Sequence, residues 1–326
     1  MVSAGKLRRY HHLSLWQHLT IPSIVLNNIF DVFKIGVGLV QSVVKMLIWR
    51  PDVVFAKGGF VCLPVGWAAS LLRIPIVIHD SDAHPGLTSR LLSGRAHTIA
   101  TGSPLEYYSY DKSKSHYTGI PIATDFRVYS SEEKAAAKQS LGFSSEKPLV
   151  VVTGGGLGAL RINNAIAGSL EKLLKHCSVM LLSGSGQYAS LRARLGADTK
   201  DFQLHEFVSS GMADVFGAAD VVVARAGATS IAELAASGSA VILVPNAQLT
   251  GGHQLKNAVV YQDAEAALVV DDATIEKDEG LLPGTIIKLV KDEKARLELA
   301  ANIKQFAKPN AAYEVASLVV AATKKQ

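Results

Sequence analysis

The sequence predicts an α/β protein of two doubly wound domains, the first of them incomplete at its amino terminus. Three observations carry this expectation. Short apolar runs bounded by glycine and proline alternate with helical stretches along the chain, the pattern of parallel sheets wrapped by helices. At 326 residues, 48% hydrophobic and 19% charged, the chain has enough apolar material for two ordinary domains with buried sheets. Small-residue and polar loops follow directly on the apolar runs, where open parallel sheets bind ligands.

The chain opens on a helical stretch, 21–49, which Pro51-Asp52 stops. A strand at 53–56 leads into the tight loop Lys57-Gly58-Gly59-Phe60. A helix at 64–72, a strand at 74–79, a polar loop from Asp80 to Gly86 and a helix at 87–92 follow, with short strands at 98–101 and 116–118. From Gly119 to Ser131 the pattern breaks, dividing a first domain, 1–124, from a second, 125–326. A helix at 132–141, capped by Ser131, opens the second domain. Strands at 148–153, 179–183, 202–205, 220–224, 240–244 and 267–270 complete its sheet, with one helix from 160 to 175 behind the first strand. A doubly wound domain normally opens on a strand, often with a phosphate loop behind it. The amino terminus therefore reads as beginning inside a domain whose first strands are absent.

The charge of +5 suits an anionic ligand or an anionic membrane surface. It is too small to point to nucleic acid, and no aromatic–basic interleaving supports one. Cys62 and Cys177 both stand in apolar surroundings and fit no metal spacing, so they read as buried thiols in a reducing compartment. Lys6, Arg8, Arg9, His11 and His12 are not followed by the apolar stretch and cleavage site of a signal peptide. The apolar stretch 21–49 carries Asp31, Lys34 and Lys45, which argues against a membrane span and for a buried or half-buried helix. A second reading keeps Arg8, Arg9, Lys34, Lys45 and Arg50, with Phe30, Phe33 and Trp49, as a basic-aromatic patch on anionic lipid.

The densest signal is ADVVVARAGATSIAELAASGSAVILVPNAQLTGGHQLKNA, 219–257. A strand ends in Arg225-Ala226-Gly227-Ala228-Thr229-Ser230, a helix carrying Glu233 follows, and a second strand leads to His253-Gln254. The order suggests a sugar–nucleotide pocket, with loop N–H groups for phosphate, Glu233 for ribose hydroxyls and Gln254 for sugar hydroxyls. Each residue also has a plainer reading: Arg225 in a structural ion pair, Glu233 solvated, His253-Gln254 as a polar helix start. Gly154-Gly155-Gly156-Leu157-Gly158-Ala159 likewise follows a strand and opens a helix, as an anion loop or as a tight turn; it is not a P-loop, because no Gly-Lys-Ser/Thr follows. Asp80 and Asp82 follow a buried strand, as hydroxyl acceptors or bases facing a ligand or as loop caps. His79 reads as a core histidine and His84 as turn surface.

At these residues the chain resembles the bacterial MurG family, which transfers N-acetylglucosamine from UDP to an undecaprenyl-linked muramyl-peptide. The matching stretches are PDVVFAKGGFVCLPVGWAA, IPIVIHDSDAHPGLTSRLL, TGIPI, GGGLGALRINNAI, ADVVVARAGATSIAELAASGSAVILVP and HQLKNA. The resemblance implies a GT-B fold, two Rossmann-like domains facing a cleft, with no cofactor and no metal. It implies that Glu233 accepts from the ribose, and that Arg225 and the backbone of Ala226, Gly227, Ala228 and Thr229 face the diphosphate. Phe207 and Val208 would cover the uracil, Met212 would line the nucleotide pocket, and His253 and Gln254 would hold the sugar hydroxyls. Gly155, Gly156 and Gly158 would face the cleft, with Phe60, Asp80 and Asp82 on the acceptor side, where Asp82 or Asp80 is the candidate base. The partners implied are UDP-N-acetylglucosamine, the lipid-linked acceptor and, peripherally, the cytoplasmic face of the plasma membrane.

The chain departs from the family's pattern in several places. Gly156 stands where a Ser or Thr is usual, and the family's His-Glu-Gln-Asn is His79-Asp80-Ser81-Asp82. An Arg common in the family is absent near Ile122-Ala123, and the amino-terminal Gly-Gly-Thr-Gly-Gly-His loop, which carries a proposed catalytic histidine, is missing. Two further expectations follow: a UDP-sugar-binding fragment or subunit with little activity alone, or a true start upstream of Met1.

Overall fold

The computed structural model describes residues 2–6, 20–246 and 252–323. The proposed lipid contacts at Arg8 and Arg9 lie outside the described residues, as do His11 and His12. The chain divides into two compact units, one of residues 1–121, 249–253 and 310–326, the other of 122–248 and 254–309.

In the first unit, β1 (Val54–Ala56), β2 (Ile76–Asp80), β3 (Thr98–Thr101) and β4 (Ser115–Tyr117) form a parallel sheet in sequential order. β2 is buried along its whole length, as expected of a strand covered on both faces. Ile76, Ile78 and Ile99 join Ala68, Ala69 and Leu92 from the neighbouring helices in one core. The helix Pro22–Trp49 buries a single stripe, Ile24, Asp31, Ile35, Gly38, Ser42 and Met46. Gly38 is required there, because a Cβ would meet the Ser3 carbonyl oxygen at 1.8 Å and the Pro64 side chain at 3.3 Å. Phe30, Phe33, Ile48 and Trp49 are exposed, Trp49 by 81%. The helix thus packs along one stripe and leaves an apolar face exposed, and by length and composition alone it is long and apolar enough to cross a membrane.

Among the described residues, the second unit's strands are β5 (Leu149–Thr153), β6 (Ser178–Leu182), β7 (Phe202–His205), β8 (Val221–Ala224), β9 (Ala240–Leu243) and β10 (Leu268–Val269). They form a parallel sheet in the order β10-β9-β8-β5-β6-β7. The order reverses between β5 and β8, and this switch point is where doubly wound sheets hold ligands. β5, β6, β8 and β9 are buried at every position.

Four readings change. The helix predicted at 160–175 is two, Leu160–Gly168 and Leu170–Leu174, because Ser169, behind a glycine, leaves helical geometry at φ −119° and ψ 13°. The cap of Ser131–Ser140 is Ser130, not Ser131: Ser130 Oγ accepts from Glu133 N, and the Glu133 carboxylate accepts from Ser130 N. Cys177 is buried, but Cys62 is only partly so and donates from Sγ to the Gly58 carbonyl at 2.7 Å. Finally, the helix Ala311–Thr323, placed with the second domain by sequence order, packs on β2 and β3 of the first unit.

Candidate functional site

The switch point sets the geometry of the second unit's site. Thr153 of β5 and Ala224 of β8 are register partners, so the chain leaves the sheet side by side at Gly154 and Arg225. In the first loop the glycines divide. A Cβ on Gly154 would meet Ala159 N at 2.4 Å, and one on Gly158, at φ +75°, would meet the Ser183 carbonyl oxygen at 2.1 Å. These two positions close a tight turn. Gly155 and Gly156 face open space, where a ligand can approach the backbone. Asn163, fully buried, holds the neighbouring turn by donating to Ser183 O and Gln187 Oε1, each at 2.9 Å.

Both helices that leave these loops, Leu160–Gly168 and Ala228–Ser237, begin without a side-chain cap, at Ala159 and Gly227. Their first N–H groups and positive dipole ends therefore stand at the sheet edge, ready for an anion. Ala226 is fully buried, and Asn257 Nδ2 donates to its carbonyl at 3.1 Å, which fixes the loop. Gly227 and Ala228 are half-buried and Thr229 is exposed.

Arg225 takes the ion-pair arrangement. Its Nη1 donates to Val244 O at 3.0 Å and to Asp272 Oδ1 at 2.6 Å. The other carboxylate oxygen of Asp272 receives Arg161 Nη1 at 2.6 Å, and Arg161 Nη2 pairs with Glu276 at 2.7 Å. Arg161, Arg225 and Asp272 line one cavity of ≈ 560 Å³ with Gly158, Gln187 and Asn246.

Glu233 is half-buried, and burial raises its carboxyl pKa. A desolvated carboxylate of this kind gains from accepting hydroxyl hydrogen bonds. Gln254 Oε1 accepts from Asn246 N at 2.8 Å, tying the start of the helix His253–Asp263 to the end of β9 and leaving the amide N–H₂ as donor. Phe207 is 65% exposed just past β7, with Val208 and Met212 half-buried behind it. β7 stands two strands away from β5. The cavity at Arg225 thus brings together Gly158 and Arg225, and not Phe207, Val208, Met212, Glu233, His253 or Gln254.

In the first unit, β2 carries His79 and Asp80 to its carboxyl end. His79 is buried, bonds through Nε2 to Gly119 O at 2.9 Å, and has its pKa lowered by burial. It is the core histidine of the plain reading. Asp80 is also buried; Tyr110 Oη donates to its Oδ2 at 2.7 Å, and burial pushes its carboxyl up to about 6. Tyr108 stacks on Tyr110 with ring centres 5.6 Å apart and donates to the Asp82 carbonyl at 2.7 Å. The Asp82 carboxylate is half-buried and lies 3.7 Å from His253 Nδ1, which belongs to the same unit. Of the two candidate bases, Asp82 is the accessible one. Phe60 is 41% exposed after Gly58 and Gly59, both in the left-handed region.

Asp272, Arg161, Asn257 and the Tyr108–Tyr110 pair escaped the sequence reading. Asp272 had a signal: an acidic pair at a strand end, on the edge where Arg225 also emerges.

Two family models match the chain, the Glycosyltransferase family 28 C-terminal domain over residues 149–315 and its N-terminal domain over 12–101. A Legionella pneumophila (strain Paris) protein is 35% identical over 90% of this chain and 76% of its own length. It is named UDP-N-acetylglucosamine--N-acetylmuramyl-(pentapeptide) pyrophosphoryl-undecaprenol N-acetylglucosamine transferase. A protein of the same name from Thermoanaerobacter sp. (strain X514) is 33% identical over 91% of this chain and 82% of its own. Among solved structures, Acinetobacter baumannii MurG is similar at a TM-score of 0.73 and 25% identity, over 89% of this chain and 79% of that one.

Proposed function

The chain belongs to the MurG family of glycosyltransferases, and from that membership we propose that it transfers N-acetylglucosamine from UDP-N-acetylglucosamine to undecaprenyl-diphospho-N-acetylmuramyl-peptide, with inversion. Its fold is GT-B. The observation that carries the donor half of this reading is the switch point, where two uncapped helix starts and an arginine meet at the ends of adjacent strands.

The donor diphosphate lies against the loops at 154–159 and 225–230, where N–H groups and dipole ends stabilise the departing charge. Glu233 accepts the ribose hydroxyls, Phe207 and Val208 cover the uracil beside Met212, and His253 and Gln254 bind the sugar. The acceptor hydroxyl attacks the anomeric carbon as the bond to UDP breaks; UDP leaves with the electron pair, and the hydroxyl proton passes to Asp82. Phe60 and Asp80 belong to the acceptor side. The helix Pro22–Trp49 rests peripherally on an anionic membrane: its exposed Phe30, Phe33 and Trp49 supply apolar contact, and Lys34, Lys45 and Arg50 supply charge. This contact would bring a lipid-linked acceptor to the enzyme at the membrane's cytoplasmic face.

Incubation with UDP-N-acetylglucosamine labelled in the sugar, together with the lipid-linked muramyl-peptide, tests the reaction. Label moving to the lipid fraction in step with UDP release supports it. Label released as free sugar, or left on UDP, contradicts it.

A further inference from the structure

At the switch point, a nearly buried carboxylate on the cavity wall holds two cations together. Asp271 and Asp272 follow β10, and they divide their work. Asp271 caps the helix Asp272–Lys277, accepting from Ala273 N at 3.1 Å. Asp272, with its side chain 3% exposed, turns to Arg225 with one oxygen and to Arg161 with the other, both at 2.6 Å. The two arginines come from distant segments, one from the end of β8 and one from the first turn of the helix Leu160–Gly168. The shared carboxylate places their guanidinium groups next to each other on the wall of the cavity that Gly158 also lines.

We propose that Asp272 is a positioning residue for the donor diphosphate, fixing Arg225 and Arg161 side by side at the switch point. The proposal rests on the reading that this edge binds a UDP donor. A guanidinium carries five N–H donors. Arg225 directs both of its bonds through Nη1, so these leave Nε and Nη2 for a ligand. The trio of two guanidinium groups and one carboxylate carries a net charge of +1 by itself, while Glu276 and Glu279 also line the cavity. The outer partner of Arg161, Glu276, is 63% exposed and screened by solvent. Asp272 has one oxygen on each arginine and acts on a ligand only through them. Asparagine in its place keeps the shape, but its N–H₂ would face one guanidinium donor to donor, and the two cations would repel each other without the charge between them.

UDP and uridine distinguish this from a purely structural role, because only UDP carries the diphosphate. The experiment titrates both, by amide NMR shifts, into the full chain, Asp272→Asn, Arg161→Met and Glu233→Ala, with thermal unfolding of each. The expected result is a roughly tenfold loss of UDP affinity in Asp272→Asn and Arg161→Met, with uridine affinity unchanged. Equal loss for UDP and uridine, or UDP affinity kept or raised in Asp272→Asn, overturns the proposal. Should Asp272→Asn fail to fold, Arg161→Met, altered at a partly exposed side chain, decides by the same comparison. Failure of the unaltered chain to bind UDP, or a Glu233→Ala variant indifferent to both ligands, would instead remove the donor reading itself.

Discussion

At the carboxyl edge of the second unit's sheet, β5 and β8 stop in register and give way to glycines, an arginine and two uncapped helix starts. At the same edge of the first unit's sheet, β2 gives way to a buried Asp80 and a half-buried Asp82, held by Tyr110 and Tyr108. Both are carboxyl ends of parallel strands, but one sheet reverses its strand order and the other runs in sequence, and the groups just past the strands differ. One edge offers N–H groups and cations, which suit a diphosphate leaving with negative charge. The other offers carboxylates, which suit a hydroxyl that must lose a proton. A parallel sheet supplies only a place, and the residues just past each strand decide the charge it will accept.

The sharpest way to break the contrast is at Gly158. Gly158→Ala forces a Cβ into the Ser183 carbonyl at φ +75°, whereas Gly156→Ala enters open space. Left-handed strain and overpacking together should cost about 4 kcal/mol in denaturant unfolding, with Gly156→Ala close to neutral. Similar stabilities for the two variants would contradict the account of the loop.

Asp80 sharpens the other side. Its carboxyl titrates at an ordinary 3.8 in the unfolded chain and at about 6 in the fold. Between those values the native state keeps a proton that the unfolded chain has lost, so stability falls as pH rises through this window, by about 3 kcal/mol. Asp80→Asn should flatten that decline and be more stable than the unaltered chain above pH 6. An unchanged pH slope would show that Asp80 is ionised without cost.

Asp82→Asn tests the division of labour itself. Removing a general base should slow sugar transfer about a hundredfold while UDP affinity stays the same. A parallel loss of UDP binding would mean that the two edges do not have separate roles. Glu233→Ala is the converse and the smallest effect: UDP affinity should fall by about 2 kcal/mol, the value of hydrogen bonds to a charged acceptor, read by calorimetry.

Local pattern explains what could be read in advance. Strands 98–101 and 202–205 match at both ends, and the other strands differ by one or two residues, because buried apolar runs between turn residues are a local signal. The Gly154 and Arg225 loops could be placed at strand ends for the same reason. What was hidden is long-range. Asp272 is 47 positions from Arg225 and 111 from Arg161, and only the strand order brings them together. The return of Ala311–Thr323 to the first unit is equally invisible, since an apolar helix face does not name the sheet it will cover. Ser169 broke a helix that periodicity alone would have continued.

A crystal structure of the chain with UDP shows where the donor sits. The expected density has the diphosphate between residues 154–159 and 225–230, Arg225 within hydrogen-bond distance of a phosphate oxygen, and the ribose on Glu233. UDP seated away from the β5–β8 edge, or a diphosphate held without either helix start, would contradict it.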